Sequence, residues 1–221
     1  MKIYLATASL EQIRWGVSTG LIDGVVTSPT ALADEAGDAD PRELLAEICA
    51  AGVFPVFASV ESVSEEDIYR DGRDLARLSD QLVVQIPLVE DAVGAMRRLR
   101  SEGVRVSASL VFNAAQALLA AKAGAAHVAT AIDELSALGE VALDQVRMIR
   151  SVFDADAVEC DLLAMLPRDA AQFTECAMAG ADAVCLSQGV LRSLLVHPLT
   201  DRGLDKFLQA LSRLPKSRVP A

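Results

Sequence analysis

The stretch Ala123-Gly124-Ala125-Ala126-His127-Val128-Ala129 closes one helical pattern, turns, and opens a strand. It returns as Ala179-Gly180-Ala181-Asp182-Ala183-Val184-Cys185. In both copies glycine follows the helix, where a left-handed backbone commonly ends it and a Cβ is costly. A chain that passes so directly from helix to strand is built of β/α units, because parallel strands need helical crossovers between them.

Outward from these turns, short β-rich runs alternate with helical patterns along the whole chain. The strand candidates are Lys2–Thr7, Gly24–Ser28, Pro55–Val60, Leu82–Pro87, Arg105–Val111, His127–Ile132, Ala157–Leu163 and Ala183–Ser187. Between them apolar residues recur at helical spacing, as in Val93-Met96-Leu99 and Val141-Val146-Ile149. Eight such units in 221 residues predict one α/β domain over residues 1–221, a (β/α)8 TIM barrel. A doubly wound sheet is the rival, but eight regular units without a composition break favour closure. A C-terminal helix is expected over 200–214, and a loose tail over 215–221.

Composition narrows the partners. The chain is 52% hydrophobic, enough for a large core. Its net charge of -11 argues against nucleic acid and anionic membrane, both of which need a positive surface. No run reaches the length of a membrane span, and no signal peptide is read at the start. The four cysteines, Cys49, Cys160, Cys176 and Cys185, lack C-x-x-C spacing and read as buried free thiols, which suits a cytoplasmic protein. Only four of the 20 basic residues are lysines: Lys2, Lys122, Lys206 and Lys216.

In a barrel the chemistry sits at the strand C-termini, so the search narrows to the last inward residues of each strand. Alternation sends Val26 and Ser28 inward from strand two, Phe57 and Ser59 from strand three, and Val83, Gln85 and Pro87 from strand four. Strand five contributes Ser107 and Ser109. Strand six presents Ala129, Ala131 and Asp133, with Glu134 just beyond its end, and strand seven presents Glu159 and Asp161. The expected mouth is rich in hydroxyls, with one amide and an acidic side. Plainer readings stand beside these. Glu159 is also placed to pair with Arg147, and Asp133 and Glu134 suit the first turn of a helix. Serines on barrel strands often bond only to backbone. His127 at the bottom face and His197 before Pro198 read as surface or capping residues.

Several segments resemble the transaldolase family, closest to its short fructose-6-phosphate aldolase branch. They are Val25-Val26-Thr27-Ser28-Pro29-Thr30, Phe57-Ala58-Ser59-Val60, Val83-Val84-Gln85-Ile86-Pro87, Ser109 to Gln116, Pro167-Arg168, and above all His197 to Leu208. The resemblance covers nearly the whole chain and implies the barrel. It also implies a strand-four lysine that attacks a ketose carbonyl to form a Schiff base. That place is Gln85 here, and an amide nitrogen is no nucleophile. The family's other site positions fall at Ala6, Ser28, Ser59 and Ala131, while Ser109 keeps a hydroxyl where threonine is usual. The phosphate-binding arginine falls at Glu134 and the phosphate-loop serine at Leu162 or Leu163. With no cation evident near Glu134, a phosphate is expected to be repelled.

Two functions follow as expectations. One is a diverged enzyme acting on a small polar carbonyl or sugar-like metabolite, in which Asp161, Glu159, Asp133 and Ser109 carry acid–base chemistry. Ser28, Ser59, Gln85, Ser107 and Glu134 would hold the small-molecule ligand. No organic cofactor is expected, although Asp133, Glu159 and Asp161 offer oxygen ligands for Mg²⁺ or Mn²⁺. The other is a non-catalytic relative that keeps the barrel as a binding or scaffolding module. A genuine lysine aldolase would need a lysine at a strand end, and none is found there. The stripe Leu204, Phe207, Leu208 and Leu211 suits core packing, while the resemblance implies a homo-oligomer built through this C-terminal helix.

Overall fold

Strand β4 (Leu82–Pro87) is buried along all but its last residue, as a strand must be when protein covers both its faces. In the computed structural model, which describes residues 1–137 and 142–212, it is one of eight parallel strands. The others are β1 (Lys2–Ala6), β2 (Gly24–Val26), β3 (Val56–Ser59), β5 (Val106–Ser109), β6 (His127–Ala131), β7 (Asp161–Met165) and β8 (Ala183–Leu186). They close in sequence order, with β8 paired to β1, so the (β/α)8 barrel is what the chain forms.

The connecting segments carry more helices than one per strand. Helices α1 (Leu10–Thr19), α4 (Glu65–Ala76), α5 (Ala92–Ser101), α6 (Ala114–Ala123) and α9 (Ala170–Met178) are single crossovers. Two helices, α2 (Pro29–Ala36) and α3 (Pro41–Ala50), lie between β2 and β3, and α7 (Ile132–Ala137) and α8 (Ala142–Ala155) between β6 and β7. After β8 come α10 (Gln188–Ser193) and α11 (Pro198–Ser212). Local sequence explains several starts. Ser28 and Asp40 cap α2 and α3 with proline next in line, and Asn113, Asp169 and Ser187 cap α6, α9 and α10. The two glycines of the repeated turn have φ of 108° and 89°. A Cβ there would also press on Arg100 or Arg150.

Alternation along the strands sorts two cores. Leu5, Val84, Ile86, Leu162 and Leu186 face the helices. Tyr4, Phe57, Val83, Ala129, Leu163 and Cys185 fill the barrel. The interior is therefore packed rather than hollow, with the Tyr4 and Phe57 rings 5.2 Å apart.

Strand seven departs from the sequence reading. It runs over Asp161–Met165 rather than Ala157–Leu163. The cause is the turn before it: Ala157 holds φ of 49°, the left-handed position that glycine fills in the repeated turns. Without that glycine the end of the turn is invisible, and the strand reads four residues early. Asp161 consequently opens β7 at the barrel floor, opposite His127, and the exposed Glu159 precedes the strand altogether. Neither lies at the mouth. Nor does Glu159 pair with Arg147, whose guanidinium bonds Asp144 at 2.8 Å.

Two smaller readings also change. His127 is not a surface residue: its side chain is only 12% exposed and meets the Phe57 ring edge-on at 5.0 Å. His197 does cap, its Nδ1 accepting from the Leu199 N–H at 3.1 Å. The C-terminal helix is present, but none of its described residues is buried, so core packing does not explain its apolar stripe. The tail expected at 215–221 lies outside the described residues, as do the last positions of the helix expected to 214.

Candidate functional site at the barrel mouth

The mouth is organised around Gln85. Its side chain shares the inward face of β4 with Val83 and is 6% exposed. Ser59, opposite it on β3, donates its hydroxyl to Gln85 Oε1 at 3.2 Å. This bond turns the amide so that Nε2 remains a donor for something else. On the other flank, β5 sets Ser107 beside Gln85. The Ser107 hydroxyl is wholly buried and has no protein partner among the described residues. Ser109 lies one inward step higher on β5, half-buried and level with Pro87.

A cavity of about 200 Å³ opens above this layer. Ala6, Val26, Ser28, Gln85, Met165 and Leu166 form most of its wall, and no lining residue is charged. Several of its hydroxyls already serve the backbone. Thr27 donates to the Phe57 carbonyl at 2.8 Å. Thr7 accepts from the Ser9 N–H and Ser28 from the Ala31 N–H, each at 3.1 Å. The expected hydroxyl-rich mouth is thus largely an apolar one with a single free amide. Ser59 also borders a second cavity of about 160 Å³, between α2, α3 and α4, which carries Arg42, Glu61 and Asp71.

Of the four acids expected here, only Asp133 and Glu134 are present, in the first turn of α7 just beyond β6. Asp133 Oδ1 is buried without a partner among the described residues, whereas Glu134 is exposed. A cation does reach this corner, contrary to expectation: Arg168, in the loop after β7, donates from Nη2 to the Asp133 carbonyl at 3.2 Å. Leu162 faces the helices and Leu163 lies inside the barrel, so neither stands at the strand-seven exit. Met165 and Leu166 do, and both were missed. The apolar run from Leu162 to Leu166, stopped by Pro167, was the signal that could have found them.

The other two acids serve the opposite end. Asp161 bonds Lys2 Nζ at 2.9 Å and lies 3.9 Å from His127 Nε2. Asp161 and His127, together with Glu159, Arg150 and Asp182, line a floor cavity of about 490 Å³. Asp133 is separated from Glu159 and Asp161 by the packed interior of the barrel, so the three carboxylates cannot share one Mg²⁺ or Mn²⁺. Among the described residues no three of His, Cys, Asp or Glu converge on a metal-sized position. The thiols supply no nucleophile either. All four are free and buried, and burial pushes Cys160 up to about 12 and Cys176 to about 11. Among the described residues no helix is long and apolar enough to cross a membrane.

Comparison with known proteins identifies the lineage. A probable transaldolase of Petrotoga mobilis is 39% identical over 208 residues, covering 94% of this chain and 93% of that protein. One from Thermoplasma acidophilum is 39% identical over 210 residues, covering 95% and 94%. One from Hyphomonas neptunium is 38% identical over 208 residues, covering 94% and 95%. Residues 3–218 match the family described as Transaldolase/Fructose-6-phosphate aldolase, and the chain belongs to that family.

Proposed function

We propose that this barrel binds a small carbonyl or sugar-like metabolite in its mouth and does so without forming a Schiff base. The observation that carries this reading is where the lysines lie. Lys2 is at the floor, bonded to Asp161. Lys122 is on α6 beside the turn glycine Gly124 on the floor side, Lys206 is on the exposed helix α11, and Lys216 lies outside the described residues. Gln85 takes the place that the resemblance gives to the family's lysine. Its amide can hold a carbonyl oxygen but cannot attack the carbon, because the nitrogen lone pair is delocalised. Ser59 bonds this amide, and in this reading Ser28 and Ser107 lie near it as further hydroxyls for a ligand, with Ser109 and Glu134 at the rim.

The relatives are named as probable transaldolases, which supports a carbonyl ligand, while the lysine that the resemblance implies is supplied by none of the described residues lining this mouth. In the reading proposed here Asp133 is the acid–base group, since its Oδ1 is buried and unpartnered. Enzymes of this family in general need no cofactor, and none is invoked. Binding without turnover is the second reading. It is favoured by the position of Glu159 and Asp161, which leaves the mouth without a close carboxylate pair.

The test is borohydride trapping with dihydroxyacetone or fructose 6-phosphate, followed by intact mass. No adduct is expected, and covalent labelling of any lysine would sink the reading. A thermal-shift screen for stabilising metabolites, with each hit then checked for conversion by mass spectrometry, separates turnover from binding.

A second copy of the chain is the proposed partner for α11. Leu199, Leu204, Phe207 and Leu208 are each more than half exposed, an apolar stripe that a monomer would leave in water. Sedimentation of the wild type should give an oligomer, and Leu204→Glu with Phe207→Glu should shift it toward monomer. A monomeric wild type would remove this part of the proposal. The four unpaired thiols suit the cytoplasm.

A further inference from the structure

We infer that the mouth cavity selects a short, uncharged carbonyl compound with an alkyl group at one end, and that Leu166 and Met165 set this preference. The inference rests on the reading that a carbonyl metabolite occupies the mouth without a Schiff base. It adds the chemistry of the end that does not react.

Three observations converge on it. The cavity wall carries no charged side chain, and Arg168 is held on the Asp133 carbonyl rather than on that wall. A phosphate or carboxylate placed among Ala6, Val26, Met165 and Leu166 would lose its hydration with no charged side chain on the wall to compensate. The cavity is small, about 200 Å³, which suits a compound of a few carbons.

The third observation is backbone strain. Leu166 has φ of 59° and is 38% exposed, at the strand-seven exit and on the cavity wall. A leucine is disfavoured in the left-handed region, which glycine and asparagine enter easily. Here the conformation is fixed by the bond from the Leu166 N–H to the Cys185 carbonyl at 2.8 Å. The result is a large apolar side chain held at the rim beside Met165, where a polar residue would fit the backbone better. Among the described residues Gln85 Nε2 supplies the one free side-chain amide donor in the wall. The ligand's oxygen therefore goes to Gln85 and its alkyl end to Leu166 and Met165.

The test compares dihydroxyacetone, 1-hydroxy-2-butanone and dihydroxyacetone phosphate by NMR titration of the full chain. The second compound replaces one hydroxyl of the first with a methyl and leaves the size unchanged. Burying the methyl and sparing a hydroxyl from desolvation should tighten binding on the order of tenfold, with the phosphate weakest. Leu166→Asn keeps a residue that tolerates the left-handed backbone and should narrow the ratio below about threefold. Leu166→Gly, which has no side chain to offer, should do the same. Wild-type protein that prefers dihydroxyacetone or its phosphate overturns the alkyl-end inference and leaves the carbonyl reading standing. A ratio unchanged in both variants removes Leu166 from the inference. No response to any of the three compounds overturns the carbonyl reading itself, and the inference with it.

Discussion

The two ends of the barrel hold their polar groups in opposite ways. At the floor most are charged and paired, although His127 Nδ1 and Arg150 Nε are buried without a partner among the described residues. Lys2 bonds Asp161, Arg150 bonds Asp182 at 3.1 Å, and Asp182 also accepts the Leu162 N–H at 2.8 Å. At the mouth they are mostly neutral and left open: the Gln85 amide, the buried Ser107 hydroxyl and one buried oxygen of Asp133. A charge already in a bonded pair is set for stability. An unpaired donor on a cavity wall is set for a ligand, because burying it without a partner costs stability. The neutral, free Gln85 amide on the mouth cavity, at the strand C-termini where barrels place their chemistry, assigns binding to the mouth although the floor has the larger cavity and most of the charge.

His127 is where the floor can be tested most strongly. Burial holds its imidazole down at about 4, against the raising effect of Asp161, with Lys2 and Arg105 adding to the lowering. An unfolded chain takes up the proton near pH 6.5, the folded chain only near 4, so the unfolded state binds more protons between those values. Stability therefore falls as pH drops through that window, by about 2 kcal/mol between pH 7 and pH 5. Urea midpoints of wild type and His127→Gln across this range provide the measurement. The variant should lose this part of the pH dependence. Parallel curves for the two proteins would show that His127 titrates normally and that the floor is more open to water than its packing implies.

Why the mouth was only half legible in the sequence follows from one strand. Seven strands were placed within a residue or two by alternation and turn glycines, and β4 matched at both ends. Within the strand itself alternation held even for β7, because parity survives displacement by an even number of residues, although Glu159, read as inward, precedes the strand. Asp161 does face inward, in line with Leu163 and Met165. What parity cannot give is height along the axis, about 3.3 Å per residue. A start read four residues early and an end read two residues early carried two acids from the floor to an imagined mouth and hid Met165 and Leu166. The left-handed turn of Ala157 caused the displacement, and no local rule flags an alanine for that role. The stripe on α11 was equally visible, but a stripe alone does not say whether a helix faces its own core or solvent.

The mouth is tested by Leu166, with a smaller expected effect and an unusual order. At an ordinary half-buried position, leucine to glycine is worse than leucine to alanine, because glycine adds backbone entropy to the unfolded chain. At φ of 59° the order should reverse. Alanine loses the leucine's contacts and keeps the left-handed penalty that any Cβ incurs, whereas glycine loses the contacts and is released from that penalty. Leu166→Gly should therefore be the more stable of the two by about 1 kcal/mol, read from urea midpoints under identical conditions. If alanine is instead the better replacement, the rim backbone carries no strain. Leu166 then occupies its place by packing alone, and the two ends of the barrel differ in the charge of their polar groups rather than in backbone strain.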